Sequence, residues 1–568
     1  MAKKILKILA LVLVALAIGI YFSYDYWLEK ELKYRLSEII NKDPNRLYQY
    51  SFSKLNINLM DGSVDLTGIV IEPSAGAFDS LMSEHNNLRF ILQLNLDEIR
   101  LDGFEITEFI TTGNIKVKAL TISEPRFEYF FHPGKEQAAH AMPLSNVFSD
   151  KFQTAELGTF RINNAEIKII DQTKSGPTVI IHHLNIELTE ARMDSITIRS
   201  YLPFAYADLS VNAAGITIDG GKDFSIKSDS MFFKVKERTF GLKNFQVNPK
   251  YNQKNFTQRY DVQKQWFAIK LDSLILNNIN IDTFVRTGHI EVGKIEIVNP
   301  NIALYKDKRK PPPPFKKKLL PASAIKSIPW VIEIDSVLIK NGYISINETS
   351  ALTGKDSHLT FEELNVLLLN FNNSQEKNKK STIMTLTAST LVLGKAATNI
   401  RMRIDLSSAT DRFTVSGNVG RVEGQTFNSV LEPMMGVKVI GGTVNEVSFA
   451  FTANDTLSTG TLDTDYEGIK LEVLSTDSIE NKKSKKGFMT FAANTAIKSN
   501  NIKGRTSYLQ GVISVARVPE KDVWPYLWHS IQGGLVSTLA PFTNSKDAKR
   551  QQKEVRRETR EAKKVDKQ

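Results

Sequence analysis

The chain has 568 residues, of which 42% are hydrophobic and none is cysteine, with a formal net charge of +11. Ordinary apolar content excludes a polytopic membrane protein. The lack of cysteine excludes disulfides, cysteine-held zinc, thiol catalysis and a lipid-modified N-terminal cysteine. Residues 1–7 carry +3, residues 306–318 carry +6 and residues 546–568 carry +5, so the remaining body is at −3, and nucleic acid is not an expected partner.

Lys3, Lys4 and Lys7 precede an apolar run from Ile8 to Tyr24, and the first acid is Asp25. As a helix this run spans roughly 25 Å at about 1.5 Å per residue, near the lower limit for crossing a bilayer. Tyr21, Phe22, Tyr24, Tyr26 and Trp27 form an aromatic belt at its far end, and Tyr24 and Trp27 are candidate membrane-interface residues. A small-residue cleavage site exists at Ala15-Leu16-Ala17, but the apolar run continues past it into large aromatics. That favours an anchor over a cleaved signal peptide. Residues 1–27 are therefore expected to hold cytoplasmic lysines and a single-pass anchor, with the body exported.

Residues 28–49 read as an amphipathic stalk helix, with Leu28, Leu32, Leu36, Ile39 and Ile40 on one face. Asp43-Pro44 ends it. From Phe52 onward nearly everything reads as strand.

The body contains a duplication. Leu96-Asp97-Glu98-Ile99-Arg100-Leu101, Phe109, Thr112-Gly113, Ile115, Val117, Leu120, Ile122 and Pro125 recur 175 residues later without a gap. Their counterparts are Leu271 to Leu276, Phe284, Thr287-Gly288, Ile290, Val292, Ile295, Ile297 and Pro300. Repeats set the fold before local propensity does, so residues 50–225 and 226–400 are read as two β-repeat units. Within each, apolar residues alternate and then switch parity: Leu94 and Leu96, then Ile99 and Leu101. Alternation means a strand with one apolar face. A switch of parity needs either a bulge or a turn, and the pattern leaves both open. Each copy also has an irregular interval, 131–151 and 306–321. The second holds Pro311 to Pro314, which cannot pair in a sheet; it reads as a stiff solvated loop, with a docking segment or a basic arm touching anionic lipid as the functional alternatives.

Residues 401–520 carry further alternating strands, such as Val447, Phe449 and Phe451. Residues 521–545 form an expected amphipathic helix in which Trp524, Leu527, Trp528, Ile531, Leu535 and Leu539 share a face. It either meets a membrane or caps the sheet. The 546–568 tail is charged throughout, hence a solvated helix or disorder.

Catalytic constellations are hard to find, and no enzyme activity, metal or cofactor is expected. His182-His183 lies in a strand, where neighbours point to opposite faces and cannot share a metal. Ser323-x-x-Lys326 matches a serine–lysine acylase pair but lacks the accompanying motifs. Asp61-Gly62 reads as a turn. What remains is area: about 25 strands at about 4.8 Å each would extend about 120 Å. An apolar face of that size must be packed on itself, covered by another protein or covered by acyl chains.

The order of features carries a resemblance. A basic anchor and amphipathic stalk are followed by Leu59-Met60-Asp61-Gly62-Ser63-Val64-Asp65-Leu66-Thr67-Gly68-Ile69. Gly441-Gly442-Thr443-Val444, Tyr466-Glu467-Gly468-Ile469 and Ala492-Ala493-Asn494-Thr495-Ala496 come later, and Trp524-Pro525-Tyr526-Leu527-Trp528-His529-Ser530-Ile531-Gln532-Gly533-Gly534-Leu535 closes the series. This resembles the AsmA-like proteins of diderm bacteria, in the domain-of-unknown-function branch. The resemblance implies an inner-membrane anchor, a periplasmic body, and a β-groove conducting phospholipid toward the outer membrane; it supplies no catalytic residues.

The expectation is thus a mainly β protein: a transmembrane helix, a long curved repeat sheet forming a groove, and a C-terminal amphipathic helix. The groove candidates are Leu94, Leu96, Ile99, Leu101, Ile115 and Val117, with Ile269, Leu271, Leu274, Leu276, Ile290 and Val292. Membrane-interface candidates besides Tyr24 and Trp27 are Trp524, Leu527, Trp528 and Ile531. The expected partners are the inner membrane, phospholipid acyl chains, and the outer membrane or one of its proteins. The alternative is a structural tether or scaffold for outer-membrane assembly whose core is filled by its own side chains.

Overall fold

The computed structural model describes residues 48–58, 61–83, 90–133, 154–174, 176–194, 196–197, 204–374, 382–473, 497–541 and 557. The expected anchor, with Tyr24 and Trp27, and the expected stalk up to residue 47 lie outside the described residues, as does nearly all of the charged tail; residues 48 and 49, assigned to the stalk, are in a strand. Among the described residues no helix is long and apolar enough to cross a membrane. The protein is mainly β with an extensive many-stranded sheet structure, as the alternation predicts. It divides into two compact units, residues 1–245 with 285–287, and residues 246–284 with 288–568.

The first unit holds β1 (Tyr48–Ser51), β2 (Lys54–Asn58), β3 (Ser63–Pro73), α1 (Ala75–Met82), β4 (Phe90–Phe104) and α2 (Ile106–Thr112). Then come β5 (Ile115–Ser123), β6 (Arg126–Phe131), β7 (Ala155–Asp171), β8 (Val179–Met193), β9 (Asp208–Asp219) and β10 (Phe224–Lys234). Strand β3 takes β1 and β2 on one edge and β4 on the other, all antiparallel. Strand β4 then takes β5 and β6 in succession. Strand β7 pairs with both in parallel, and β8, β9 and β10 follow antiparallel. The corner between β5 and β6 is Glu124-Pro125. Glu124 adopts φ 51°, and Pro125, with no N–H, cannot continue the ladder.

The division between units falls inside β11 (Thr239–Pro249). Beyond it lie α3 (Gln253–Gln258), β12 (Trp266–Ile279), α4 (Ile281–Thr287), β13 (Ile290–Val298), β14 (Asn301–Asp307), α5 (Pro321–Lys326), β15 (Ile332–Thr349) and β16 (Asp356–Asn372). The chain continues with β17 (Ile383–Val392), β18 (Ala396–Asp405), β19 (Phe413–Val419), β20 (Val422–Glu423), α6 (Asn428–Met435), β21 (Val437–Ala453), β22 (Leu457–Val473), β23 (Gly511–Ala516) and α7 (Val523–Leu539).

The duplicated sequence gives duplicated pairing. Strand β12 is antiparallel to β13 and β14, β15 is parallel to both, and β16 follows antiparallel, which repeats β4 through β8. The repeated Thr-Gly has a mechanical reason. Gly113 (φ 74°) closes α2 by donating to the Phe109 carbonyl, and Gly288 (φ 71°) closes α4 on Phe284 in the same way. A left-handed C-terminal residue is cheap only for glycine.

The switch of parity is a bulge inside continuous strands. Gly68 (φ 62°) separates Leu66 from Ile69 in β3, and Asn164 (φ 56°) separates Ile162 from Ala165 in β7. Asn341 (φ 51°) in β15 matches Asn164, and Glu363 (φ 49°) in β16 matches His183 (φ 49°) in β8. The register shifts at Asn164, Asn341 and Glu363, whereas β3 and β4 keep one register across Gly68. Leu66, Ile69, Leu96 and Leu101 nevertheless share one core cluster. The inserted residue therefore keeps the apolar set on one face, which is what a bulge achieves. At the β5–β6 and β13–β14 corners the strand itself breaks.

Candidate functional site

The two sets of groove candidates have different environments. In the first unit Leu94, Leu96, Leu101 and Val117 are each under a tenth exposed. They pack with Leu55, Val64, Leu66 and Ile71, while Ile99 and Ile115 lean on the same cluster. Side chains of the short strands β1 and β2, with the aromatic residues Tyr48, Tyr50 and Phe52, pack against this set. Sequence periodicity shows which face is apolar but not what lies over it.

In the second unit Ile269, Leu271, Leu274, Leu276 and Ile290 are only half-buried, and Val292 alone is buried. The register lines them into transverse rows. Leu276 faces Ile295, which faces Val337, then Leu368, Leu386 and Met402. A parallel row runs from Leu274 through Ile297, Ile339, Val366 and Ala388 to Ile400. Beyond the line of bulges, Ile269 faces Ile302, Ile344, Phe361 and Val392. Every member of these rows from β12 to β17 is half-buried, a strip of five strands about 19 Å wide at about 4.8 Å per strand.

The strip closes further along. Met402 continues into Val415 and Phe451, and Ile404 into Phe413, all under a tenth exposed. Leu320 before α5, Ala322 and Ile325 in α5 and Tyr526 in α7 belong to the same buried cluster.

Helix α7 is a cap on that end, with a buried face different from the expected one. Tyr526, Ser530, Gly534, Ser537 and Thr538 are buried. The Ser530 and Ser458 hydroxyls are 2.7 Å apart, and Ser537 Oγ accepts the Val512 N–H at 2.8 Å. Leu527 and Ile531 are partly buried and pack against the core cluster. Trp524 and Trp528 are 70% and 47% exposed. Small polar residues made the seat, which a search for apolar stripes overlooks; the Gly533-Gly534 pair was the available signal.

Burial pushes the Tyr466 hydroxyl far up from its ordinary pKa, and burial with the neighbouring Asp463 does the same to Tyr508. Both phenols are thereby held neutral as structural groups. His529 is pushed down, first by burial and then by Lys521 and Lys308.

The other candidate groups have structural partners. Ser323 donates from its N–H and its hydroxyl to Asp411, each at 2.6 Å, while Lys326 Nζ donates to the Ser408 carbonyl. The Ser-x-x-Lys pair thus clamps α5 to the loop before β19. His182 Nδ1 lies 3.1 Å from Glu166 and His183 Nδ1 2.6 Å from Asn164, so the two histidines serve separate contacts. Asp61 accepts the Ser63 N–H at 3.0 Å in the β2–β3 turn. Among the described residues no group of three or more His, Asp or Glu could hold a metal.

The sheet also exposes apolar groups on its other face, which alternation does not reveal within an unbroken apolar run. Val366-Leu367-Leu368-Leu369 places Leu367 (39% exposed) and Leu369 (43%) opposite the rows.

Comparison with protein-family models finds no matching family, and no curated protein matches the chain.

Proposed function

We propose that this chain is a membrane-anchored envelope protein, related to the AsmA-like proteins, that holds phospholipid acyl chains on the apolar rows of its second unit and helps to move them between the inner and outer membranes. The observation that carries the reading is the half-exposed strip from β12 to β17. Its aliphatic side chains stand in register over five strands with no polar interruption in the Leu276 row. Apolar area of that extent is costly in water, at about 25 cal/mol per Å², and marks a surface that something else covers. An acyl chain suits a strip of aliphatic groups without hydrogen-bonding partners, because its binding needs area rather than directed contacts.

The filled core of the first unit favours a second reading for that part of the chain. There the apolar face is satisfied by its own neighbours, as a tether or scaffold would have it. The two readings therefore separate by position. A photo-crosslinking residue at Leu276 or Ile295 yields phospholipid adducts in cells if the strip carries lipid, and the same residue at Leu101 yields only protein adducts. Protein adducts alone at Leu276 and Ile295 would refute the lipid reading.

A further inference from the structure

Two segments far apart in sequence meet at the N-terminal end of α7. Residues 311–319 form an extended stretch that is exposed throughout. It is fixed at both ends: the Gln263 N–H donates to the Pro311 carbonyl at 2.9 Å, and the Lys318 N–H donates to the Pro519 carbonyl at 2.8 Å. Lys318 Nζ also stands 4.0 Å from Asp522, and the next anchor, Leu320, is 3% exposed.

Between and beside these anchors large apolar groups face water. Phe315 is 71% exposed and Leu319 48%; from the facing segment Val518 is 42%, Trp524 70% and Trp528 47% exposed. Lys316, Lys317, Lys318, Arg517 and Lys521 accompany them, against the acids Glu520 and Asp522. Lys316 and Lys317 have no ion-pair partner among the described residues.

A loop that needs only solubility requires charge, not a phenylalanine and two tryptophans in water. A stretch held at both ends and stiffened by four prolines has already lost much of its chain entropy before binding. Indole rings favour the boundary between headgroups and acyl chains. Lysines near an anionic leaflet contribute about 1 kcal/mol each. Cations interleaved with aromatics are thus matched to an anionic bilayer surface.

We propose that the patch formed by residues 315–319 and the start of α7 docks this protein onto an anionic phospholipid bilayer. The proposal goes beyond the lipid-strip reading and stands whether or not the strip carries acyl chains.

The test uses the full chain held in nanodiscs of neutral phosphatidylcholine and floated with separate vesicles. Vesicles containing phosphatidylglycerol should carry the nanodiscs upward and phosphatidylcholine vesicles should not. Lys316→Ala with Lys317→Ala should weaken that association roughly thirtyfold, at about 1 kcal/mol per lysine. Phe315→Ser with Trp524→Ser should abolish it. All four side chains are exposed, so the melting temperature should not move. The chain has no cysteine of its own, so Phe315→Cys offers a unique site for a polarity-sensitive dye, which should shift to the blue on phosphatidylglycerol vesicles alone. Equal flotation with both vesicle types, no flotation with either, or an unshifted dye overturns the proposal. Self-association of the nanodiscs without vesicles, lost in the Phe315→Ser/Trp524→Ser variant, also overturns it and assigns the patch to a second copy of the chain.

Discussion

The backbone N–H of Asn341 donates to the side-chain oxygen of Asn365 at 3.1 Å, bridging the bulges of two neighbouring strands. The first unit repeats the bond between Asn164 and Asn185 at 2.9 Å. In each copy the second asparagine also donates two residues back, to the Glu363 carbonyl at 2.8 Å and the His183 carbonyl at 2.9 Å. The line continues sideways through Asn341 to Asn299 at 2.9 Å and Asn299 to Asp272 at 2.6 Å. A bulge leaves backbone groups without ladder partners, and these side chains supply them.

Asn341 holds a left-handed conformation that asparagine tolerates and a β-branched residue resists. Asn341→Val is therefore expected to cost about 1–2 kcal/mol, and Asn341→Gly much less. Asn365→Ala should cost about 1 kcal/mol for the lost hydrogen bonds. Thermal melting of the three variants checks the order; a valine variant as stable as the glycine variant would contradict the bulge geometry.

The seat of α7 tolerates no added bulk. A Cβ on Gly511 would stand 2.4 Å from the Gly534 carbonyl oxygen, and one on Gly534 would stand 2.8 Å from the Leu462 Cβ. Gly511→Ala should destabilise the second unit by about 1–3 kcal/mol, the usual cost of overpacking. Protease nicking at the β23–α7 connection should rise with it. Unchanged melting and cleavage would mean that the helix can lift away, contrary to its buried Ser458–Ser530 contact.

Much of the fold was legible because period and duplication are properties of the chain itself. Alternation named the strands, and the repeated Thr-Gly and Pro125/Pro300 marked the same two corners twice. Which apolar residues remain reachable was not legible. Leu101 and Leu276 are equivalent in the repeat, yet Leu101 sits in a buried cluster that side chains of β1 and β2 help to build, whereas Leu276 is half-buried. The buried face of α7 was missed because Ser530, Gly534 and Ser537 seat it through small size and hydroxyl bonds rather than hydrophobicity. The patch at residues 315–319 needed tertiary structure, since Lys318 and Pro519 are two hundred positions apart in the chain and only the fold joins them.

Acid should loosen the end of β14. Asp307 is nearly buried and accepts from the Arg309 N–H at 3.0 Å, from Nε at 3.0 Å and from a terminal guanidinium nitrogen at 2.9 Å. The Arg309 side chain, opposed in part by burial, holds the Asp307 carboxyl below its ordinary range. A carboxyl whose folded pKa is depressed contributes stability above its unfolded value of about 3.9 and loses it as the pH falls through the folded value. Asp307→Asn should lower stability by roughly 1 kcal/mol at neutral pH, a figure kept small because the guanidinium is half exposed. The difference from the parent should shrink below about pH 4. Melting against pH decides it, and a constant difference down to acid would remove the carboxylate as the cause.

The two copies should answer the same charge differently. Leu101 is 4% exposed inside an apolar cluster. Leu101→Glu buries a carboxyl without compensation and should cost more than about 4 kcal/mol, a large part of the 5–15 kcal/mol that holds a domain together. Leu276 is half-buried and pairs with Ile295 in its row. A glutamate there can turn its carboxylate outward, so Leu276→Glu should cost about 1 kcal/mol or less and leave the strand register intact. Circular dichroism and denaturant titration of both variants give the comparison. Equal loss of structure would mean that the second unit is packed as tightly as the first and that its rows have no room for a guest. A folded Leu276→Glu protein that no longer forms phospholipid adducts at Ile295 would tie the open strip to the cargo it is proposed to hold.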